Sequence, residues 1–378
     1  MIYTIPYVIL ILFFGILAFI NASAEDEQKK TVTSMVAVTV FFIFFGFRGY
    51  LSTDWTSYVA YFDKCKVDDI VEYSPSNGSF EPGFVVLNLI CKNIFGTFQS
   101  LVVITTAINL VLLLRFFKDR IDNIPLGLIL FIVFEGLIMS INLMRNTIAI
   151  LIFANALTYI SQRRPIPYFL LCALAMTFHL TSVLYFPMYF ILKIRINKWL
   201  YLAIFVVVNV IFIFNIPIVL KLITSLGLVG ELTETKIESY TELMDESTKL
   251  SIGYLERLIT GGLVFCYFDK LKELREENTI FINSLIIVFF FVLGFHEFHE
   301  LSRRLATLFT YSYWILWADM IRCFSIDNNR KLYVAFLSIY CIMRVMGTSN
   351  NILMDYDNVL FGSKSYEERL YIFNRNSK

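Results

Sequence analysis

The chain has 378 residues, 57% of them in the hydrophobic set and only 17% charged, with a mean hydropathy of +0.67. That balance excludes an ordinary water-soluble globular domain and points to a bilayer. A net charge of +1 gives no global field that could recruit nucleic acid or acidic proteins, so any electrostatic work must be local. The six cysteines, at 65, 91, 172, 266, 323 and 341, lack the close pairing of a zinc or redox motif, and no nucleotide-binding glycine loop occurs, so neither a metal nor a cofactor is expected.

About 20 apolar residues are needed to cross roughly 30 Å of hydrocarbon. In chain order, such runs lie near 3–20, 32–47, 98–116, 124–141, 147–161, 199–217, 252–268, 280–295, 305–321 and 332–346. The first lacks the basic start and small-residue cleavage site of a signal peptide and is read as a span. Six connections are basic: Lys29 and Lys30; Arg115, Lys118 and Arg120; Arg163 and Arg164; Lys193, Arg195 and Lys198; Lys270, Lys272 and Arg275; Arg322, Arg330 and Lys331. Short basic loops mark the cytoplasmic side.

The segment 166–191 has basic flanks at both ends and must therefore cross an even number of times. Split in two, it gives helices of about 13 residues, or roughly 20 Å each, too short to reach the far surface. Their turn falls near Phe178 and His179, at a depth where polar backbone is tolerated only if it lines a cavity. The expected fold is all-α and polytopic, with about twelve crossings and both termini outside. A transmembrane domain would cover 1–346, with outer segments at 48–97 and 218–251, and an extracytoplasmic, mixed polar tail 347–378. In the first outer segment, Trp55, Tyr58, Val59 and Phe62 share one helical face and Phe84, Leu87, Cys91 and Ile94 another, which predicts two amphipathic helices at the interface.

The unusual ionisable residues then gather on the outer side. Arg48 and Asp54 follow the second span, Glu81 opens the second amphipathic helix, Arg145 sits in a very short outer turn and His179 at the hairpin turn. Glu256 and Arg257 begin a span, and His296, Glu297, His299, Glu300, Arg303 and Arg304 join two late spans. Each has a plainer reading. Asp54 stands where a helix N-cap would, and Glu81 precedes Pro82 at a helix start, although Glu is a poor cap. The arginines could pair with lipid phosphate, and His179 could be a satisfied buried histidine. HEFHE is not the spacing of a zinc protease, Asp68 and Asp69 lack a third ligand, and the sequon at Asn77 carries no weight. Against these stands the chemistry that guanidinium offers, a planar fork of donors matched to phosphate oxygens, placed in short outer loops where arginine is otherwise avoided. Arg48, Arg145, Arg257, Arg303 and Arg304 are the candidates for holding a diphosphate, and Asp54, Glu81 and His179 for taking a proton from an acceptor hydroxyl.

The succession FRGYLSTDWTSYVAYF at 47–62, FEPGF at 80–84, NLMRNTIAI at 142–150 and FHLTS at 178–182, followed by HEFHELSRRLATLF from His296, resembles the EpsG group of Wzy-type polysaccharide polymerases. The resemblance implies a multispanning transferase of GT-C-like arrangement. It would join undecaprenyl-diphosphate-linked oligosaccharides into O-antigen, capsule or exopolysaccharide at the outer face of a bacterial inner membrane, alongside a chain-length regulator and a flippase. It carries over Arg48, Asp54, Glu81, Arg145, His179 and Arg303 as site residues. One departure is Asn146, where family members often carry Gln after the central arginine. Two rivals remain: an O-antigen ligase or GT-C transferase using a single lipid-linked sugar, and a lipid-glycan transporter, for which Glu135 and Asn155 are the interior polar candidates.

Overall fold

The computed structural model describes residues 2–74, 79–218 and 251–376. Positions 219–250 of the second outer segment, and Asn77 of the sequon, lie outside the described residues. The helices, in chain order, are α1 (Ile5–Ser23), α2 (Glu27–Gly46), α3 (Trp55–Lys64), α4 (Asp68–Val71), α5 (Pro82–Phe95), α6 (Phe98–Phe117), α7 (Ile124–Phe131), α8 (Leu137–Ile141), α9 (Met144–Ser161), α10 (Pro165–Met176), α11 (Met188–Ile191) and α12 (Lys198–Ile213). They continue with α13 (Ile252–Cys266), α14 (Phe268–Leu274), α15 (Asn278–Phe289), α16 (His299–Thr307), α17 (Tyr311–Cys323), α18 (Asp327–Ser349) and α19 (Tyr366–Asn376). Among the described residues, pairing of the β type is confined to isolated bridges at Asn358.

Five helices are long and apolar enough to cross a membrane: Ile2–Ser23, Glu27–Gly46, Phe98–Phe117, Ile124–Ile141 and Asp327–Ser349. A sixth is added if Asn278–Gly294 and His296–Thr307, bent by 77°, form one span. The hairpin expected over 166–191 is present in shortened form, as α10, a turn at Thr177 and Phe178, and a 3-10 helix from Leu180 to Tyr185.

The chain divides into two compact units, Met1–Tyr189 with Phe324–Lys378, and Phe190–Cys323. In the first, α1, α2, α6, α7, α9 and α18 pack side by side. Their starts are capped as short polar residues cap helices, by Thr97 on Ser100 N and by Asn123 on Leu126 N. Asn155 Nδ2 donates to Leu112 O at 2.9 Å, joining α9 to α6, and Asn21 joins α1 to α2 through Thr33 Oγ1 at 2.8 Å. Such amide bonds hold helices together where lipid removes the hydrophobic incentive to associate.

The ends of these helices sort cleanly. Asn123 at the start of α7 reaches Ala18 O of α1, and Arg120 beyond α6 reaches Thr158 of α9, which defines one end. Gln99 at the start of α6 reaches Gly46 O of α2, and Tyr7 of α1 reaches Met354 O beyond α18, which defines the other. Lys29, Arg115, Lys118, Arg163 and Arg330 follow the first end along the chain, while Arg48, Asp54, Glu81, Arg145 and His179 follow the second. These basic residues and the candidate site residues of this unit therefore follow opposite helix ends.

Two features depart from the expectation. The apolar faces of the outer segment do exist, with Trp55, Tyr58, Val59, Phe62, Phe84, Leu87 and Cys91 buried, but Ile94 is 67% exposed. Those faces are also covered by protein: Trp55 meets Tyr366 at 5.6 Å and Phe373 at 6.2 Å, and Tyr58 meets Phe84 at 5.6 Å. The segment after α18, for its part, is folded. Asn358 bridges Arg48, and the guanidinium of the buried Arg369 reaches Asp357 Oδ2 at 2.8 Å. Its aromatic residues pack on α3, which its mixed composition concealed.

The span Ile124–Ile141 is interrupted by a π-helical turn, Ile132–Gly136, in which Glu135 takes φ 70° and ψ −17°. A left-handed non-glycine residue costs about 1–3 kcal/mol and persists where its surroundings enforce it. Gly136 is obligatory beside it, since a Cβ there would lie 2.2 Å from Phe131 O.

In the second unit, Gly261 of α13 lies under Phe205 of α12, where a Cβ would sit 2.3 Å from the ring, and Tyr201 donates to Gly261 O at 3.1 Å. A small residue at the contact lets two helices approach closely. Asp319 of α17 accepts from Asn278 at 2.8 Å and from Arg275 at 3.4 Å.

Candidate functional site

The site begins with the FEPGF segment. Pro82 occupies the first turn of α5, where its missing N–H costs nothing, and leaves Glu81 as N-cap residue with extended backbone (φ −64°, ψ 146°). The Glu81 side chain makes no cap hydrogen bond. It turns instead toward the hairpin, because Gly83 N donates to Thr177 O at 2.8 Å and draws the start of α5 against the end of α10. That approach requires glycine: a Cβ at Gly83 would lie 2.5 Å from Thr177 Oγ1 and 2.8 Å from Thr177 O.

Glu81, 5% exposed, gathers the neighbouring polar groups. Oε2 accepts a very short bond from Arg145 Nη1, and Oε1 accepts from Leu180 N at 3.0 Å and lies 3.1 Å from His179 Nδ1. Burial pushes the carboxyl up, but the His179 bond, the Arg145 charge and the Leu180 amide outweigh it and hold Glu81 at about 2. An ionised carboxylate only accepts hydrogen bonds, so His179 Nδ1 carries the proton and, in the neutral ring, Nε2 is the basic nitrogen. The ring's position is fixed through its backbone, with His179 N on Ala175 O at 3.0 Å and Ser182 N on His179 O at 3.0 Å.

Arg145 lies at the start of α9, with its guanidinium carbon 4.4 Å from the centre of the Phe80 ring and 5.9 Å from that of Phe84. Both phenylalanines of FEPGF thus serve as cation–π faces. Tyr58 also interacts with Arg145, and burial pushes its hydroxyl up to about 12 against that cation. Arg145 Nε is buried without a partner among the described residues, so the guanidinium retains donor capacity that Glu81 does not use.

The other candidates are placed differently. Asp54 begins α3, and its Oδ1 accepts from Thr53 Oγ1 at 3.0 Å, while its amide is held by Asn142 Oδ1 at 2.8 Å. Arg48 is 2% exposed and donates to Ile141 O at 2.8 Å and Gly49 O at 3.3 Å, which ties the end of α8 to the chain leaving α2. Burial lowers it to about 10. Its reach is toward backbone carbonyls rather than toward the Glu81 cluster.

Arg257, Arg303 and Arg304 belong to the second unit. Arg303 and Arg304 are exposed on α16, where Arg303 pairs with Glu300 at 3.2 Å across one helical turn. Arg257 lies on α13 near Gly253, and the adjacent Glu256 is buried and accepts from Thr260 at 2.6 Å. His296 Nδ1 lies 3.0 Å from Leu293 O.

Several contributors escaped sequence reasoning. Asn142 opens a recognised motif, but only the fold shows its side-chain amide oxygen holding Asp54 N, and Leu180 acts through a backbone N–H, which has no residue-type signature. Phe80, Phe84 and Gly83 stood inside a recognised motif, yet only the folded approach of α5 to α10 explains them. Thr181 Oγ1 and Ser182 Oγ, in the same hairpin as His179, are buried without partners among the described residues. So is Asn146 Oδ1, next to Arg145.

The model of the EpsG family matches residues 31–356, a stretch that contains every residue of the Glu81 cluster. No curated protein and no solved structure matches the chain. The chain belongs to the EpsG family, a group of polysaccharide-polymerase-like membrane proteins.

Proposed function

We propose that this member of the EpsG family is a membrane glycosyltransferase that polymerises undecaprenyl-diphosphate-linked oligosaccharide units into a surface polysaccharide. The single observation that carries this reading is the junction at Glu81, which binds a phosphate-competent guanidinium and an oriented imidazole to one carboxylate.

Arg145 holds the donor diphosphate and stabilises it as it departs, the task for which a preorganised guanidinium is suited. His179 Nε2 takes the proton of the acceptor hydroxyl. Glu81 is a positioning residue: a carboxyl held at about 2 is too weak a base for the reaction, but it fixes the tautomer of His179 and the orientation of Arg145. Asp54 is the second acid of the same end and the alternative base. Arg303 is assigned to the lipid-linked substrate by family likeness, and Arg304 and Arg257 by the phosphate-matching chemistry of guanidinium, while Arg48 supports the site by fastening the end of α8.

The proposal includes a GT-C-like arrangement with about twelve crossings, the short helices completing those of full length. It also includes a site facing the outside of a bacterial inner membrane, because the cluster lies at the end opposite the basic loops. A chain-length regulator and a flippase are the expected partners. The transporter reading loses support from Asn155, whose amide is spent on Leu112 O and Leu151 O.

The test is product analysis of cells carrying Arg145→Ala or His179→Ala with normal membrane levels of protein. Accumulation of a single lipid-linked unit supports polymerisation. Retention of full-length polymer on its lipid carrier would assign the chain to ligation instead, and an unchanged polymer ladder would remove both residues from the reaction.

A further inference from the structure

The first unit contains a second charged pair that the Glu81 cluster does not use. Arg344 Nη2 of α18 meets Glu135 Oε1 of the π turn at 3.1 Å, with the side chains 33% and 21% exposed. Both stand in helices of membrane-crossing length, each about a turn and a half short of the span's end at Ser349 or Ile141. By helix rise that is roughly 7–9 Å below the end that carries the Glu81 cluster. Ionisable side chains at such depth are rare and usually serve a ligand or a pathway. Here the backbone adopts a left-handed residue to deliver the carboxylate, as π-bulges at functional positions often do.

The surface beside the pair is suited to a headgroup. Gly347 is one turn above Arg344 on the same helix face, and a Cβ added there would meet nothing within 4 Å. The surface at Gly347, between the turn of Arg344 and the end of the span, is therefore open. One to five residues earlier on the same helix, toward the interior of the span, Met343 is 45% and Ile339 61% exposed, so apolar side chains are open to lipid below the guanidinium. A half-exposed intramembrane cation with open surface above it and lipid-facing apolar side chains below it matches a phosphate carried on a hydrocarbon chain.

We propose that Arg344 binds the phosphate of a membrane amphiphile arriving laterally, and that Glu135 occupies the guanidinium until the ligand displaces it. This rests on the function proposed above, under which the amphiphile is the polyprenyl-diphosphate-linked substrate, seated at Arg344 before it engages Arg145.

The test uses the full chain in phosphatidylcholine nanodiscs, titrated with undecaprenyl diphosphate, with undecaprenol, phosphatidylglycerol and inorganic pyrophosphate as separate arms. Competition predicts opposite signs for the two partners: Arg344→Gln weakens undecaprenyl diphosphate binding about tenfold, and Glu135→Gln strengthens it about threefold. Gly347→Leu, which fills the open surface one turn above Arg344, weakens binding while leaving thermal stability unchanged. The exchange Glu135→Arg with Arg344→Glu restores stability but not affinity. Both single variants shifting affinity in the same direction, or the exchange restoring affinity, would reduce the pair to a structural bridge and overturn the site. Equal binding of pyrophosphate or phosphatidylglycerol would overturn the choice of ligand. Failure of the unmodified chain to bind undecaprenyl diphosphate would overturn the function on which the inference rests, whatever the variants do.

Discussion

Arg145 and Arg303 were equivalent in the sequence, two arginines in short loops at the end opposite the basic ones, and the structure treats them differently. Arg145 is held from several sides, by Glu81, Phe80, Phe84 and Tyr58, and its carboxylate partner is almost fully buried. Arg303 lies on an exposed helix face with a same-helix partner, an arrangement worth about 0.3–0.5 kcal/mol. Burial makes the first arginine a fixed part of the site, and exposure leaves the second free to change rotamer. Charge and loop position cannot distinguish these cases; what lies within 4 Å of the guanidinium does.

The largest effect expected from breaking that contrast is at Glu81. Glu81→Gln keeps the volume but removes the charge and one acceptor, so that Arg145 and His179 lose their common anchor, and the polymerisation rate should fall about 10³-fold with little change in membrane insertion. Arg145→Lys keeps the charge and loses the planar fork; a rate loss of about 10²-fold is expected, measured with a lipid-linked substrate in detergent. Gly83→Ala attacks the approach of α5 to α10 rather than the chemistry. Overpacking against Thr177 should cost about 1–3 kcal/mol in thermal unfolding and impair activity through misplacement of Glu81. Arg303→Gln should cost about tenfold in apparent substrate affinity and leave unfolding unchanged, and Glu300→Gln should alter stability by less than about 0.5 kcal/mol.

A pH series sharpens the same comparison. Glu81 is held at about 2, below its ordinary 4.5, so its ionised bonds contribute fully above pH 4.5 and are lost as pH falls from there toward 2. The unmodified chain should lose thermal stability across that window, and Glu81→Gln, already without the charge, should lose less. Equal acid sensitivity in the two would show that the Glu81 bonds contribute nothing to folding.

Much of this was legible in the sequence, for identifiable reasons. The hairpin at Phe178 and His179 followed from basic flanks on both sides of a segment too short to cross twice, and α10 does stop at Met176. Glu81 stood out because glutamate is a poor N-cap, and its side chain indeed caps nothing. The faces of α3 and α5 showed in their periodicity, but not their cover, since the aromatic residues of 366–376 that pack on α3 sit in a segment of mixed composition. The junction itself could not be read. It depends on Gly83 meeting Thr177 across 94 residues of chain, and on a guanidinium choosing one carboxylate among several. Arg48 shows the converse: its residue type and position promised phosphate chemistry, and only its contacts reveal a guanidinium engaged by Ile141 O. Arg344 went unnoticed because a single arginine near the end of an apolar helix reads as snorkelling to the interface.

The central claim is that Glu81, Arg145 and His179 act as one unit, and a double-mutant cycle tests it most directly. Initial polymerisation rates would be compared for the unmodified chain, Glu81→Gln, His179→Ala and the double variant, at matched amounts of folded protein. The account predicts that the double variant is within about threefold of the slower single variant, because either substitution already disables the pair. Independent action, in which the two rate losses multiply, would contradict it.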